Sequence, residues 1–164
     1  MKDDTKKYKL TEDANAALAN EAAVAYRSMP SPLRVIGNIG RGDKHSFLSV
    51  VKEGLGYDTL VGFMKMSAFH IDEMALILHV NSRTIRRLDP KSTLNIDLSE
   101  KLLELLRLYR FGIEIFGDMD VFNVWIRRSI RGLGDVTPMS LLDTGIGVEI
   151  VMDELERLAY GVYN

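Results

Sequence analysis

The sequence contains no cysteine, one tryptophan and four prolines among its 164 residues. Without cysteine the chain can form no disulfide, use no thiol nucleophile and offer no thiolate to zinc. No apolar run is as long as the roughly 18 residues of a membrane-spanning helix, and the acid-containing first residues lack the apolar core of a secretory signal. These absences predict a cytoplasmic protein that has no membrane partner.

The formal net charge is only −2, yet the basic residues are clustered. Arg83, Arg86, Arg87 and Lys91 are accompanied by one acid, Asp89. A second basic cluster consists of Arg127, Arg128 and Arg131. Because local charge governs contact with phosphate, the near-neutral total does not exclude nucleic acid. The second cluster suits either a wider DNA footprint or ion pairs with acidic helices, and the sequence leaves both interpretations open.

Apolar residues recur at helical spacing from Phe47 onward, and no run shows the sustained alternation of a strand. The stretches VIGNI and FLSVV are weak strand candidates. An alanine-rich helix is predicted over 10–29, and the turn-rich stretch 31–44 is interpreted as a linker. Further helices are predicted over 57–66, 71–78, 82–88, 97–116, 121–128, 138–142 and 145–160. The predicted fold class is therefore all-α.

Residues 71–88 have the pattern of two short helices joined by a tight turn, a helix-turn-helix. Ala75 supplies a small side chain where the helices cross, and His79 occupies the turn position that requires a left-handed backbone. Ser82 is the predicted N-cap of the second helix. The apolar residues expected to face the shared core are Leu78, Val80, Ile85 and Leu88.

The outer face of that second helix carries hydroxyl and guanidinium groups. Arginine binds phosphate oxygens and guanine edges, and serine or threonine binds phosphates or bases. The predicted DNA-binding residues are Ser82, Arg83, Thr84, Arg86 and Arg87. The alternative interpretation is a solvated helix that happens to be basic, on a fold kept as a scaffold.

Capping residues also delimit the elements near the C-terminus. Thr137 can cap a short helix that begins at Pro138, and Asp143 or Thr144 can cap the last helix. The apolar residues expected to line one side of that last helix are Ile146, Ile150, Val151, Leu155 and Leu158.

The C-terminal part resembles the toxin-binding domain of the Xre/MbcA/ParS antitoxins. The residues that carry the resemblance are, in order, Trp125, Leu133-Gly134, Pro138, Leu141-Leu142-Asp143-Thr144, Gly147, Val151, Leu155, Arg157 and Tyr160-Gly161. Residues 79–118 are similar to the Xre-type helix-turn-helix and its following long helix, so the resemblance extends over about 45–164. It implies an N-terminal extension (1–44), an Xre-like helix-turn-helix domain (45–118) and a C-terminal toxin-binding domain (119–164).

The resemblance implies a bacterial type II antitoxin. Such a protein is expected to be a homodimer that blocks the active site of a RES-domain toxin, which degrades NAD or transfers ADP-ribose from it, and that represses its own operon. Neither enzymatic activity nor a cofactor is implied, and the three histidines lack the spacing of a metal site. The alternative is a stand-alone transcription regulator whose C-terminal module only dimerises.

The last helix would act as a rod of about 24 Å whose tip enters the toxin's active-site cleft. The toxin-binding residues expected from the resemblance are Arg157, Tyr160, Gly161, Val162, Tyr163 and Asn164. Tyrosine is a strong interface anchor, and the terminal carboxylate of Asn164 is hypothesised to engage basic groups that otherwise hold NAD pyrophosphate. The alternative is that Tyr160 and Tyr163 merely cover the core at the chain end.

Overall fold

The computed structural model describes Val24, Arg27, residues 29–37, Ile39 and residues 43–161. The chain divides into two compact units, Met1–Pro30 and Ser31–Asn164. In the first unit Val24 and Arg27 are helical, and the rest of the helix predicted over 10–29 lies largely outside the described residues.

The second unit is built from α-helices and short 3-10 helices. The α-helices are α1 (Lys44–Glu53), α2 (Tyr57–Ser67), α3 (Ile71–Ile77), α4 (Ser82–Arg87), α5 (Ile96–Phe116), α6 (Met119–Trp125) and α7 (Gly145–Ala159). The 3-10 helices cover Ser31–Ile36, Arg131–Leu133 and Pro138–Leu141. The described residues form no strand, only isolated β-bridges, so the all-α prediction is confirmed.

Helix α1 is not predicted from the sequence, in which FLSVV is a weak strand candidate. Asp43 caps the helix by accepting a hydrogen bond from the Ser46 backbone N–H at 3.0 Å, and Gly54 ends it at φ 82°. Phe47 and Val51, four residues apart, are both buried on one helix face. The apolar run is therefore the inner face of a helix, and the strand interpretation is wrong.

The linker interpretation is also wrong for Ser31–Ile36, since Pro32, Leu33 and Ile36 are buried. Arg110 of α5 holds this segment by donating from Nη1 to the Ile36 and Ile39 carbonyl oxygens, at 2.6 and 2.7 Å. The burial of this segment cannot be predicted from its turn-forming residues, because Arg110 lies 74 positions from Ile36 in the sequence. The domain boundaries at 44 and 118 stay predictions.

Helix α5 is the centre of the unit. It is 21 residues long and buries residues around most of its circumference, as expected of a helix covered by neighbours on several sides. Each fully buried leucine on it contributes roughly 1.5–3 kcal/mol of hydrophobic stabilisation. Tyr109 packs edge-on against Phe63 and Phe122, both with ring centroids 4.9 Å away. These contacts join α2 and α6 to α5.

One close approach fixes how α6 sits on α5. A Cβ added at Gly112 would lie 2.4 Å from the Phe122 ring, so the glycine allows the ring to rest on the helix backbone.

Among the described residues, no helix combines the length and apolarity that a membrane crossing requires.

Candidate functional site

Helices α3 and α4 are two short helices joined by a tight turn, as the sequence predicts, and this pair is called the helix-turn-helix below. His79 takes the left-handed conformation at φ 54°, which confirms the role predicted for it. Ala75 and Ile85 are buried where the helices meet, and Leu78 is buried with them. Val80 and Leu88, also predicted to face the core, are only half-buried. The pair is therefore held by a smaller apolar contact than the sequence indicated.

The N-cap of α4 is Asn81, and the prediction that Ser82 caps it is wrong. The Asn81 side-chain oxygen accepts from the Arg83 backbone N–H at 2.8 Å. Ser82 is instead the first helical residue and is half-buried. Asparagine and serine are about equally good N-caps, so two adjacent candidates could not be ranked by residue type.

Helix α4 presents a basic surface to solvent. Arg83, Thr84, Arg86 and Arg87 are exposed, so four of the five predicted DNA-binding side chains lie on the solvent side. Among the described residues, none of these three arginines forms an ion pair with a carboxylate. Their charges are therefore available to a polyanion, and the DNA-binding role itself stays a prediction.

Arg127, from the second basic cluster, contacts the helix-turn-helix. Its Nη1 and Nη2 atoms pair with Glu73 Oε1 and Oε2 at 2.8 and 3.1 Å, and Nη2 also donates to the Ala68 carbonyl at 2.9 Å. The guanidinium carbon lies 5.3 Å from the centre of the Phe69 ring. Of the two interpretations left open for this cluster, the ion pair is the one observed for Arg127.

Glu73 links this ion pair to the start of α3. Its Oε2 atom also accepts from the His70 backbone N–H at 2.8 Å, as in a capping box. The hydrogen bonds from Arg127 hold the pKa of the Glu73 carboxyl below its usual range, with a smaller contribution from the His70 N–H. The carboxylate form is therefore favoured by the fold.

Helix α7 begins in close contact with the preceding 3-10 helix. Thr144 is its N-cap, with Oγ1 accepting from the Gly147 N–H at 3.0 Å, which decides between the two predicted capping residues. A Cβ added at Gly147 would lie 1.8 Å from the Leu141 carbonyl oxygen. Only glycine lets the two backbones approach so closely at this position.

The buried residues of α7 are Gly147, Val148, Val151 and Leu155. They include two of the five apolar residues that were predicted to line one side of the helix. Gly147 faces the Leu141 backbone, and Ile146 and Ile150 lie on the outer side, 72% and 41% exposed. The five residues therefore do not share one side of the helix. Leu158 is half-buried.

Four exposed residues at the outer side of α7 are here called the α7 outer face: Ile146, Ile150, Arg157 and Tyr160. Their spacings of four, seven and three residues place them on one side of the helix. Tyr160 is 82% exposed, so it does not cover the core. Arg157 pairs with Glu154 on the same helix at 2.5 Å.

Gly161 follows at φ 67°, the left-handed conformation that commonly ends a helix. The other predicted toxin-binding residues, Val162, Tyr163 and Asn164, lie outside the described residues. No group of three or more potential metal-ligating side chains occurs within the part of the chain that the structure describes.

The fold is all-α, and it exposes a basic face on α4 and the α7 outer face. Residues 112–161 match the family model described as the antitoxin Xre/MbcA/ParS C-terminal toxin-binding domain. Antitoxin Xre of Photorhabdus laumondii is 31% identical over 116 residues, which cover 70% of this chain and 78% of the relative. The Prs ADP-ribosylating antitoxin of a Sphingobium species is 27% identical over 128 residues, which cover 71% of this chain and 79% of the relative.

A similar fold occurs in the crystal structure of the M. tuberculosis MbcT-MbcA toxin-antitoxin complex, where one chain has a TM-score of 0.51 at 21% identity. The match covers 66% of this chain and 96% of that one. The chain belongs to the Xre/MbcA/ParS antitoxin family.

Proposed function

We propose that the chain is an antitoxin that binds a cognate RES-domain toxin through the α7 outer face and the residues after it. The observation that carries the proposal is three exposed apolar or aromatic side chains, Ile146, Ile150 and Tyr160, on the side of α7 opposite its buried residues. Ile146, Ile150 and Tyr160 would leave water on binding, and a tyrosine at the helix end is a typical interface anchor. The toxin-antitoxin complex in which the similar fold occurs supports this assignment.

The proposed mechanism is steric. Val151 and Leu155 hold α7 on the core, and Thr144 fixes its first turn, so the helix is a stiff rod of about 22 Å. Binding of its end at the entrance of the toxin's active site would exclude substrate without any chemical step. We include Gly161, Val162, Tyr163 and Asn164 in this contact. The antitoxin itself needs no catalytic residue and no cofactor.

The second part of the proposal is repression of the chain's own operon through α4. Arg83, Arg86 and Arg87 would contact phosphates or guanines, with Ser82 and Thr84 as additional hydrogen-bond donors. Helix-turn-helix proteins bind paired half-sites as dimers, so we propose a homodimer. Each arginine on a phosphate would add about one unit to the salt dependence of operator affinity. A cytoplasmic location is part of this proposal.

Co-expression with the RES-domain protein encoded beside this chain tests the toxin assignment. The intact chain should restore growth and cellular NAD, whereas a variant carrying Ile150→Asp and Tyr160→Asp should not, because two charges would be buried at the interface. The matched control is Arg86→Ala with Arg87→Ala, which should neutralise the toxin and lose operator binding. Growth arrest that the intact chain does not relieve would contradict the proposal and favour a regulator without a toxin.

A further inference from the structure

We infer that a groove along α5 is the face through which two copies of this chain pair, with α1 of one copy against α7 of the other. This inference rests on the homodimer of the proposed function and gives that homodimer an interface. The groove is here called the α5 groove, and its charged lining is Lys44 and Lys52 of α1, Glu104 and Arg107 of α5, and Glu149 and Asp153 of α7.

The α5 groove exists because α1 and α7 both pack on α5 and leave a strip of it uncovered between them. Two depressions lie on this strip, one of about 390 Å³ on the side of α1 and one of about 200 Å³ on the side of α7. Glu104 and Arg107 line both depressions, so the two form one groove. The Arg107 guanidinium carbon lies 4.6 Å from the centre of the Phe47 ring, which holds the groove floor against α1.

The two walls of the α5 groove carry opposite charge. Helix α1 contributes Lys44 and Lys52, and α7 contributes Glu149 and Asp153. All four side chains are exposed, and none of them forms an ion pair with another of the described residues. One edge of the face is therefore basic and the other acidic, and the charges of both edges are available to a partner.

A face with one basic and one acidic edge is complementary to a second copy of itself. A two-fold axis running along α5 would set α1 of each copy against α7 of the other, so that base meets acid in two symmetric contacts. The other two-fold arrangement, with its axis across α5, would set α1 against α1 and α7 against α7, and like charges would meet. A partner of uniform charge would be attracted by one wall and repelled by the other, so a second copy matches the face best.

Apolar side chains add to this face. Leu48 of α1 is 50% exposed and Ile96, the first residue of α5, is 58% exposed, and both line the larger depression. A leucine and an isoleucine exposed side by side in one depression would leave water when a second copy covers them. The interface that we infer therefore has an apolar part between its charged edges, as protein interfaces commonly do.

The test mixes two charge-reversed variants of the full chain. Lys44→Glu with Lys52→Glu makes both walls acidic, and Glu149→Lys with Asp153→Lys makes both walls basic. Each variant alone should dimerise at least about 100-fold more weakly than the intact chain, because like charges would meet in both contacts. Their equimolar mixture should form a heterodimer with nearly the affinity of the intact chain, because acid meets base again in both contacts. Sedimentation velocity measures the affinities, and native mass spectrometry identifies which chains are paired.

A matched control separates this interface from a general effect of charge. Lys91→Glu with Arg128→Glu makes the same change in net charge at two exposed residues outside the α5 groove, and it should leave the dimer affinity unchanged. The substituted side chains are all exposed, and circular dichroism checks that each variant folds. If a charge-reversed variant does not fold, Leu48→Asp takes its place and should weaken dimerisation, because its charge would be buried in the contact.

The outcomes distinguish the interface from the rest of the proposal. Undiminished dimerisation of both charge-reversed variants, or a mixture that forms no heterodimer, would overturn the assignment of the α5 groove. The second of these results is also the one expected if the groove binds a different protein. An intact chain that stays monomeric would contradict the proposed homodimer as well. Because the assay contains neither toxin nor DNA, its result does not depend on those parts of the proposed function.

Discussion

Replacing Gly147 by alanine should test how much the close contact between α7 and the preceding 3-10 helix contributes to the stability of the fold. The new Cβ would lie 1.8 Å from the Leu141 carbonyl oxygen, whereas real Cβ contacts are essentially never shorter than 3.0 Å. The obstacle is backbone, so a rotamer change cannot relieve it. Overpacking of this kind costs about 1–3 kcal/mol, partly offset by the roughly 0.5–1 kcal/mol that alanine gains over glycine in a helix.

We therefore expect Gly147→Ala to lose about 1 kcal/mol of unfolding free energy and roughly 2–4 °C in Tm. Gly145→Ala is a matched control on the same helix, since its Cβ would meet only the Glu104 carboxylate at 3.7 Å. The control should be unchanged or slightly stabilised. Chemical and thermal denaturation measure both variants, and equal stability of the two would refute the reasoning.

Three further predictions concern the helix-turn-helix and its junction. Ala68→Gly should stabilise the chain by about 0.5–1 kcal/mol in thermal unfolding, because Ala68 is held at φ 53°. Asn81→Ala should cost about 1 kcal/mol of unfolding free energy because Asn81 caps α4, whereas Ser82→Ala should change little. Denaturant midpoints of the two variants measure this difference. A larger loss in Ser82→Ala would contradict the assignment of the cap. Glu73 has a lowered pKa in the folded chain. The stability that its carboxylate contributes is therefore fully present above the unfolded pKa of about 4.3, and it is lost as the pH falls through the pKa of the folded state. Denaturation of intact chain and Glu73→Gln across that window should converge toward low pH, and a constant difference would argue against the ion pair.

Local patterns were sufficient for most of the fold. Helical periodicity predicted α2 to α7 within a few residues of their observed ends, because amphipathic spacing and capping residues act over short distances. The left-handed turn at His79 was predictable for the same reason. Helix α1 was missed because a short apolar run fits a strand and a helix equally well. The burial of Ser31–Ile36 was missed because it depends on Arg110, far along the chain.

The site was less predictable than the fold. The basic face of α4 follows from helical spacing alone, and the structure places it in solvent. The exposure of Ile146 and Ile150 does not follow from helical spacing, because the contact between Gly147 and the Leu141 backbone determines which side of α7 is buried. The Glu73–Arg127 pair joins residues 54 positions apart. No local signal in the sequence identifies Arg127 as the distant partner of Glu73.

The most direct measurement is the rate at which the proposed partner, a RES-domain toxin, consumes NAD in the presence of increasing amounts of this chain. The intact chain should stop NAD consumption near stoichiometric addition, and a chain truncated before Tyr160 should not, while both still bind the promoter duplex. Undiminished NAD consumption with excess intact chain, or full inhibition by the truncated chain, would show that the end of α7 is not what blocks the toxin.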